Sequence, residues 1–483
     1  MLNEMFKTVE QYEEQTKTKI DLIIVCGDCQ TIRHHDDLTC LSVPNKYKKV
    51  GDFHQYYSGK KKIPRLTICI GGNHEASNYL MTLPYGGWVC DNFYYLGYAG
   101  VIKFRGLRIA GVSGIYSFRN HNRGRFERMP LDHESIKSVY NTRQVDVFRL
   151  QLLSRNAESK NPIDVFLSHD WPARVYDHGN LEQLLRFKPH FRDDVNTRDG
   201  MGSPLTKPLI GQLKPRRWFA AHMHCRFYAK IEHNQLENSC TEFLSLNKIE
   251  NRNFVEYFDL EPLKSTEGAE ESVSAECSSS QESEINNDKN QDNNLYYDVE
   301  WLTILRKTNA LESYSRDKVS CPSVGEETGT SYFPTEEEIQ ETVEMMNRTG
   351  GLKIKQNFQM TEPVIYNRPG GGNPSIDKGR YKYFPNPQHE ELCSRLKIES
   401  SLDQLIAKEG QTVESSHSSS SNFDHHRQQN FNNGQQSRGR INRHEPRRSG
   451  GDRPQPYRPN KKRAYELDED GCLPFFVDKK GDR

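Results

Sequence analysis

Four short apolar segments, each ending in a side chain that can bind a metal ion, constrain this chain more than any other feature. The segments IDLIIVCGD, LTICIGGNHE, IDVFLSHD and WFAAHMH occur in this order along the sequence. Each has the length and the content of Ile, Val, Leu and Phe that are typical of a strand buried in a sheet. The side chains that follow these predicted strands are Asp28, Asn73, His74, His169, His222 and His224.

The types of side chain at these strand ends predict a divalent metal centre. Ligand sites in open α/β sheets lie beyond the carboxyl ends of the strands, so residues far apart in sequence can converge there. Asp supplies a charged oxygen, Asn a neutral oxygen and His a neutral imidazole, a mixture that suits Fe, Zn or Mn rather than Ca. Gly27, Gly71 and Gly72 would let the backbone turn sharply and bring the ligands together. A single His after a strand is usually structural, but four such motifs in series favour a metal site.

The pattern of apolar residues predicts a layered α/β domain over residues 1–260. The segments YYLGYAGVIKF, LRIAGVSGI and RFYAKI add further predicted strands. Met1–Lys17 and Ser135–Ser154 are amphipathic and predict helices. Strands and helices mixed in this way favour a sheet that is covered by helices.

Long segments without order are predicted for the rest of the chain, because hydrophobic residues make up only 34% of the 483 residues. Residues 261–294 are rich in Glu, Ser, Asn and Asp and are interpreted as an acidic disordered linker. Residues 295–400 are predicted to form a small, mostly helical accessory region. Residues 401–483 are interpreted as a disordered basic tail of low complexity.

The composition also indicates the cellular compartment in which the protein is located. No apolar run approaches the roughly 18 residues of a membrane span, and the first 20 residues lack the features of a signal peptide. The 11 cysteines form no disulfide-like framework and are interpreted as reduced thiols of a cytosolic or nuclear protein. Equal numbers of acidic and basic residues exclude a uniformly basic nucleic-acid binder. The basic cluster Lys461-Lys462-Arg463 would bind RNA nonspecifically or serve in nuclear import, so we expect a nuclear protein.

The motif order GD, GNHE, SHD and HxH resembles that of the calcineurin-like metallophosphoesterases. Within that superfamily, the segments GDCQTIR, IGGNHEASN, LPYGGWV and FLSHDWP are similar to those of the RNA lariat debranching enzymes. The resemblance covers residues 1–250 and extends more loosely through YDVEWLTILR. It implies a four-layer α/β/β/α sandwich with two divalent metal ions. It also implies a hydrolase that cleaves the 2′–5′ branch-point bond of excised intron lariats, with branched RNA as substrate and splicing or intron-turnover proteins as possible partners.

The resemblance also implies roles for the strand-end residues. Asp28 would be shared between two metal ions. Asn73, His169 and His222 would complete one metal pocket, and His224 would belong to the other. His74 would lie next to the scissile phosphate and protonate the leaving oxygen or stabilise its charge. Glu75 and Asp170 are interpreted either as groups that orient the imidazoles or as simple helix-start and turn residues.

A segment that interleaves aromatic and basic residues, Tyr116–Arg143, occupies the position of a lariat-recognition loop in debranching enzymes. Such side chains suit RNA, which is recognised by stacking, shape and basic contacts. The alternative is a solvated loop with incidental charges. The residues expected to contact RNA are Tyr116, Arg119, Arg123, Arg125 and Arg128, with Phe118 and Phe126 between them.

One departure from the family pattern concerns the first motif. The superfamily begins with a strand followed by Asp-x-His, or Cys-x-His in debranching enzymes, and neither occurs ahead of Asp28. A truncated gene model or an isoform would explain this pattern, and so would divergence to a one-metal or inactive form. We expect a second pocket with too few ligands, an unpaired strand edge, low solubility and little activity.

Two other functions stay open on the sequence alone. A phosphatase of the same fold is disfavoured by the aromatic and basic insert. A noncatalytic, splicing-associated RNA-binding protein is favoured by the missing first motif. Two further motifs are set aside: Cys26 and Cys29 lack a second cysteine pair for zinc, and the His34-His35-Asp36-Asp37 cluster is predicted to face solvent.

Overall fold

Two β-sheets form the centre of the computed structural model, which describes residues 1–155, 161–234, 239–249, 251, 253–263, 292–362 and 384–400 and the backbone of 475–479. In spatial order, the strands of the first sheet are β11 (Val255–Phe258), β13 (Phe475–Lys479), β1 (Ile20–Val25), β2 (Thr67–Cys69), β4 (Phe93–Tyr95) and β3 (Gly87–Cys90). Those of the second sheet are β12 (Leu295–Tyr297), β5 (Ala99–Phe104), β6 (Leu107–Val112), β7 (Val165–Ser168), β8 (Arg217–Ala220), β10 (Ser239–Ser245) and β9 (Phe227–Asn234).

Helices lie on the outer faces of both sheets, which confirms the predicted four-layer sandwich. They span Leu2–Thr16, Phe53–Tyr57, Ser77–Leu80, Ser135–Ser138, Gln144–Gln151, Leu181–Phe187, Arg192–Val195, Lys207–Leu213, Val299–Thr308, Glu327–Thr330, Glu336–Arg348 and Pro387–Leu396. Among these helices, none combines the length and the apolar character that a membrane span requires.

Strand β1 shows how the sequence builds these layers. Its apolar run is buried throughout and alternates between two cores, as successive strand residues must. Leu22 and Ile24 pack between the two sheets. Ile23 and Val25 pack on the outer face, in the same core as Leu2, Met5, Phe6 and Val9 of the first helix.

The seven apolar segments predicted as strands each contain a strand, whereas the helix predicted over Ser135–Ser154 is broken. It is replaced by Ser135–Ser138, Gln144–Gln151 and a short 3₁₀ turn. The backbone between the two helices leaves the helical path at Asn141, which forms a bridge with Ile115. The Ile115 amide donates to the Tyr140 carbonyl at 3.3 Å, and the Thr142 amide donates to the Ile115 carbonyl at 3.0 Å.

The accessory region is joined to the second sheet by a strand and by a buried charge cluster. Strand β12 pairs antiparallel with β5. Arg108 of β6 donates through Nε to Asp298 at 2.9 Å and through Nη2 to Glu300 at 2.8 Å. All three side chains are buried, so each charge depends on the others for compensation. The predicted linker falls mainly on residues 264–291, which lie outside the described residues.

The edge of β1 that faces away from β2 is paired, contrary to the expectation of an open edge. Strand β13 lies antiparallel to β1, from Ile20 opposite Lys479 to Val25 opposite Phe475. On its other side β13 pairs in parallel with β11. The structure therefore differs at Phe475–Lys479 from the disordered tail that was predicted, while residues 401–474 and 480–483 lie outside the described residues.

The His34-His35-Asp36-Asp37 cluster is not solvent-facing as predicted. His35 is exposed, but His34 and Asp37 are buried. The Arg33 guanidinium donates to Asp37 at 2.8 Å and to Glu362 of the accessory region at 2.7 Å. His34 Nε2 lies 3.0 Å from Glu362. His34, Asp37 and Glu362 could surround a cation, but Arg33 already compensates both carboxylates, so the cluster is an ion-pair network that joins the accessory region to the first sheet.

We predict that proline at Val477 destabilises the fold, because a strand paired on both sides needs its amide hydrogen. Leaving a buried partner without its hydrogen bond costs about 1–3 kcal/mol. Val477→Ala keeps the amide and serves as the matched control. Chemical denaturation should give a lower free energy of unfolding for Val477→Pro than for Val477→Ala, and equal values would show that β13 contributes nothing to the sheet.

We predict that the His34 cluster loses stability as the pH rises. Burial opposes the charge on His34, but the hydrogen bond with Glu362 and the charge of Asp37 outweigh it and raise the pKa of His34. The stabilisation is therefore complete below the unfolded pKa of about 6.5 and is lost as pH rises through the folded pKa. Thermal unfolding should show a larger decline between acidic and alkaline pH for wild type and His35→Gln than for His34→Gln. Identical pH profiles for His34→Gln and wild type would contradict this.

Candidate metal centre

The six strand-end residues predicted as a metal site lie at one end of the sandwich, and both sheets contribute. Asp28 follows β1, and Asn73 and His74 follow β2, which is parallel to β1. His169 follows β7, which is parallel to β8. His222 and His224 follow β8. The carboxyl ends of these strands therefore meet, as the motif order predicted.

The His169 imidazole joins the two sheets at the centre of the site. Its Nδ1 lies 2.7 Å from the Cys26 carbonyl oxygen and must donate to it, because that oxygen can only accept. Its Nε2 then faces Asn73 Oδ1 at 3.0 Å and Asp28 Oδ1 at 3.4 Å. The lone pairs of this nitrogen and these two oxygens repel one another unless a proton or a cation lies between them. Burial opposes a proton on His169, but the Asp28 carboxylate outweighs it and raises the pKa of His169. The donor set thus fits a divalent ion, which would replace that proton.

Asn73 is oriented for this role by its neighbour His74. Its amide nitrogen lies 2.9 Å from His74 Nε2 and donates to it, so Oδ1 is left to face His169. The His74 backbone amide in turn donates to Asp28 Oδ1 at 2.9 Å. Burial lowers the pKa of the His74 ring, although the Asp28 charge raises it. Neutral His74 therefore carries its proton on Nδ1. Asp28 keeps its charge, because His169 and His74 outweigh burial and hold its pKa well below the usual range.

His222 and His224 complete the group of candidate ligands. The His222 ring lies 5.1 Å from that of His169, centroid to centroid. Burial lowers the pKa of His222 and brings that of His224 to about 4, so both rings are neutral at pH 7 and able to bind a metal. Asp28, His222 and His224 all have left-handed backbone, with φ of 60°, 60° and 49°. Strain of this kind costs about 1 kcal/mol or more for each residue and clusters at functional sites.

Two of the three glycines singled out in the sequence are required by the close approach of the ligand loops. A Cβ on Gly27, which has φ +94°, would lie 2.5 Å from His169 Nδ1. A Cβ on Gly72 would overlap the Asp28 carboxylate. A Cβ on Gly71 would meet its nearest neighbours at 3.5 Å, an ordinary contact, so that position does not need glycine for space.

Comparison with known proteins agrees with this geometry. Residues 2–226 match the family described as Calcineurin-like phosphoesterase, and residues 238–401 match the Lariat debranching enzyme, C-terminal domain. The chain is 37% identical to the lariat debranching enzyme of Gallus gallus over 419 residues, which is 85% of this chain and 70% of the relative. It is 38% identical to that of Homo sapiens over 82% of this chain and 67% of the relative. It is 40% identical to that of Arabidopsis thaliana over 67% of this chain and 70% of the relative.

The chain belongs to the lariat debranching enzyme family. This confirms the resemblance seen in the sequence, and with it the calcineurin-like phosphoesterase fold. Phosphoesterases of this fold use divalent metals, in agreement with the donor set described above.

Glu75 and Asp170 do not orient imidazoles, which was one of their two predicted roles. Glu75 accepts from the backbone amides of Cys29 at 2.9 Å, Thr31 at 3.3 Å and Gly72 at 3.2 Å, and so holds two ligand loops together. Burial and the Asp28 charge raise the pKa of Glu75 to about 7. Burial raises the pKa of Asp170 to about 6; this carboxylate accepts from the Tyr116 amide at 3.2 Å. The group that orients His169 is the Cys26 carbonyl, which sequence reasoning missed because a backbone atom leaves no residue-type signal.

The predicted RNA-contacting insert begins beside the metal centre. The amide of Gly114, two residues before Tyr116, donates to the Gly71 carbonyl at 2.8 Å. Phe118 is 73% exposed, and Arg119 is also exposed, so both can reach a substrate. Tyr116 is partly exposed and its ring lies 5.4 Å from that of His121.

The prediction is wrong for Arg125, which is buried. Its guanidinium pairs with Asp146 and lies over the Tyr98 ring, 3.3 Å from the centroid. Phe126 is buried as well. Arg128 is partly buried and donates to the carbonyls of Arg125 and Glu127 at 3.0 Å and 2.9 Å. Arg123 is partly exposed and lies 3.6 Å from Glu134. These four residues mainly shape the insert.

We predict that Gly72→Ala lowers the metal content of this family member, because the added methyl group would displace the Asp28 carboxylate. Gly71→Ala adds the same methyl group one residue earlier, where space is available, and is the matched control. Elemental analysis should find wild-type metal content in Gly71→Ala and at least a several-fold loss in Gly72→Ala. Equal metal content in the two variants, with both folded by circular dichroism, would contradict the assignment of Asp28 as a ligand.

Proposed function

We propose that this chain is a metal-dependent RNA phosphodiesterase that hydrolyses the 2′–5′ branch-point bond of excised intron lariats. The observation that carries the proposal is the convergence of His169 Nε2, Asn73 Oδ1 and Asp28 Oδ1. It is supported by similarity, over most of this chain, to relatives that are named lariat debranching enzymes. Fe, Zn and Mn are the metals that suit a mixed site of imidazole, amide and carboxylate ligands.

In this proposal the candidate ligands form two sets, one for each of two metal ions. Asp28, Asn73, His169 and His222 would hold one ion, and Asp28 with His224 would contribute to a second. When bound, these ions lower the pKa of a water nucleophile and neutralise charge on the phosphate oxygens. The chain itself keeps Asp28 ionised and the His222 and His224 rings neutral, which are the protonation states that metal ligands need.

His74 stabilises the charge of the leaving oxygen in this proposal. Its proton lies on Nδ1 in the neutral ring, since Nε2 accepts from the Asn73 amide. A hydrogen bond donated by Nδ1 to the leaving oxygen would stabilise the negative charge that develops there, and the loss of one such donor typically costs about 10²–10³-fold in kcat. The ring is buried and held close to Asp28 through its own backbone amide, so it has little freedom to leave this position.

The exposed part of the insert supports RNA as the substrate. The rings of Tyr116 and Phe118 lie 5.4 Å and 6.3 Å from the ring of His121, and Phe118 is open to solvent. Unstacked bases bind to such aromatic surfaces, and Arg119 beside them would bind phosphate. A phosphatase that acts on small phosphoesters has no use for this surface, which is why we favour the RNA substrate.

A noncatalytic RNA-binding role is the second candidate, and the observation that fits it is the exposed aromatic and basic part of the insert, which could bind RNA without a metal ion. It predicts RNA binding without cleavage. We also propose a nuclear location, on the basis of the cluster Lys461-Lys462-Arg463, which lies outside the described residues.

We predict that His74→Ala lowers the rate of branched-RNA cleavage by about 100-fold or more, because the hydrogen-bond donor to the leaving oxygen is removed. His169→Ala should abolish cleavage and also lower the metal content. His178→Ala, which changes an exposed histidine after β7, should cleave like wild type. The assay follows a labelled 2′–5′ branched oligonucleotide with Mn, Fe or Zn added in turn. Binding without cleavage by wild type in every metal would favour the noncatalytic role.

A further inference from the structure

The insert has no helix or strand of its own between β6 and the helix Ser135–Ser138, apart from single bridges. A loop of this length in a compact domain is usually functional, and its conformation depends on contacts with the rest of the molecule. The aromatic group of the insert, Tyr116, Phe118 and His121, lies on one tight turn, in which the His121 amide donates to the carbonyl four residues earlier at 2.9 Å. The position of the three rings therefore depends on what holds this turn and the residues that follow it.

The phosphoesterase part of the chain holds the end of the turn. The Gln144 amide donates to the His121 carbonyl at 2.7 Å, and the Arg143 guanidinium donates to the Asn120 carbonyl at 2.7 Å. Both donors lie at the start of the helix Gln144–Gln151. This support ends at His121, and the residues after it turn to the accessory region.

Residues 313–319 of the accessory region hold the next part of the insert by backbone pairing. The Val319 amide donates to the Asn122 carbonyl at 2.7 Å, and the Arg125 amide donates to the Ser313 carbonyl at 2.7 Å. A single antiparallel bridge joins the two segments between these hydrogen bonds. We call this pairing of residues 313–319 with the insert the clasp.

The clasp is closely packed. A Cβ on the buried Gly124 would lie 2.5 Å from the Ser313 carbonyl oxygen and 2.8 Å from Ser313 Oγ, so this position has no room for a side chain. Arg316 donates to Glu134 at 3.1 Å, and its guanidinium carbon lies 4.9 Å from the centroid of the buried Phe126 ring. Backbone and side chains of the accessory region therefore both bind the insert.

We propose that the clasp sets the affinity for branched RNA, because it holds the aromatic group of the insert in the conformation that binds the substrate. The proposal rests on the proposed function and extends it by assigning a role in substrate recognition to the accessory region. The residues of the clasp position the insert and take no part in bond cleavage. A small phosphodiester without nucleobases uses the metal centre but not the aromatic group, so its hydrolysis does not depend on the clasp.

The test uses the full chain loaded with metal and two substrates, a branched oligoribonucleotide and bis(p-nitrophenyl) phosphate, which has no nucleobase. Gly124→Ala opens the clasp from the insert, and Val319→Pro opens it from the accessory region by removing the amide that donates to Asn122. Each change should raise KM for the branched RNA by about tenfold, the effect of an insert that holds its binding conformation about a tenth of the time. Because such a shift acts on binding, kcat and the hydrolysis of bis(p-nitrophenyl) phosphate should stay within about twofold of wild type.

Gly211→Ala and Val319→Ala are the matched controls. A Cβ on Gly211 would meet no atom within 4 Å in the described part of the chain, and Val319→Ala keeps the amide. Both should have wild-type KM for the branched RNA. The double variant of Gly124→Ala with Val319→Pro should raise KM no further than either change alone, since both remove the same interaction, whereas independent effects would multiply to about 100-fold.

Wild-type KM for the branched RNA in either Gly124→Ala or Val319→Pro would overturn the proposal, and so would effects that multiply in the double variant. An equal loss with both substrates would also overturn it, because the changes would then act on the metal centre. If wild type cleaves no branched RNA with any metal, the proposed function is wrong. The clasp is then judged by the affinity for labelled branched RNA, which Gly124→Ala must lower and Gly211→Ala must leave unchanged.

Discussion

The hydrogen bond from His169 Nδ1 to the Cys26 carbonyl is the interaction on which the rest of the site depends. At 2.7 Å it joins the end of β7 in one sheet to the end of β1 in the other. It also decides which ring nitrogen carries the proton, and therefore turns the Nε2 lone pair towards Asp28 and Asn73. A side chain in place of the Cys26 carbonyl could rotate away, whereas a backbone oxygen at the end of a paired strand cannot. The tautomer of His169 is thus a property of the fold.

The ligand loops hold a conformation that the chain would not adopt alone. Asp28, His222 and His224 have left-handed backbone, and Gly27 and Gly72 leave no room for a methyl group. Such strain persists only where the surroundings over-determine it. Glu75 supplies part of that constraint, since its buried carboxylate accepts from amides of both loops on the first sheet. Because the pKa of Glu75 is raised to about 7, the carboxylate becomes protonated as the pH falls below neutral, and its hydrogen bonds with those amides then weaken.

The sequence predicted that the six strand-end residues lie together, because their positions follow from a topological rule. The carboxyl ends of parallel strands lie at the same edge of a sheet, so the residues that follow these strands come together and can form a binding site. It failed where a contact joins distant segments. Arg125 was expected to face RNA, but Asp146 and the Tyr98 ring hold it inside, and nothing in the insert alone reveals them. His34 was expected in solvent because its partner, Glu362, is more than 300 residues away. Strand β13 was not predicted because it lies in a segment whose composition is typical of a disordered tail.

The accessory region is therefore part of the phosphoesterase rather than an addition to it. Arg108 on β6 has its two carboxylate partners, Asp298 and Glu300, beyond the acidic segment. Gln388 pairs with both backbone groups of Trp88 on β3, at 2.8 Å and 2.9 Å. A buried arginine without its carboxylates would leave an uncompensated charge in the core, and breaking a pair of this kind typically costs about 3–5 kcal/mol. Removal of the accessory region would therefore leave the buried polar groups of Arg108 and Trp88 without these partners and destabilise both sheets.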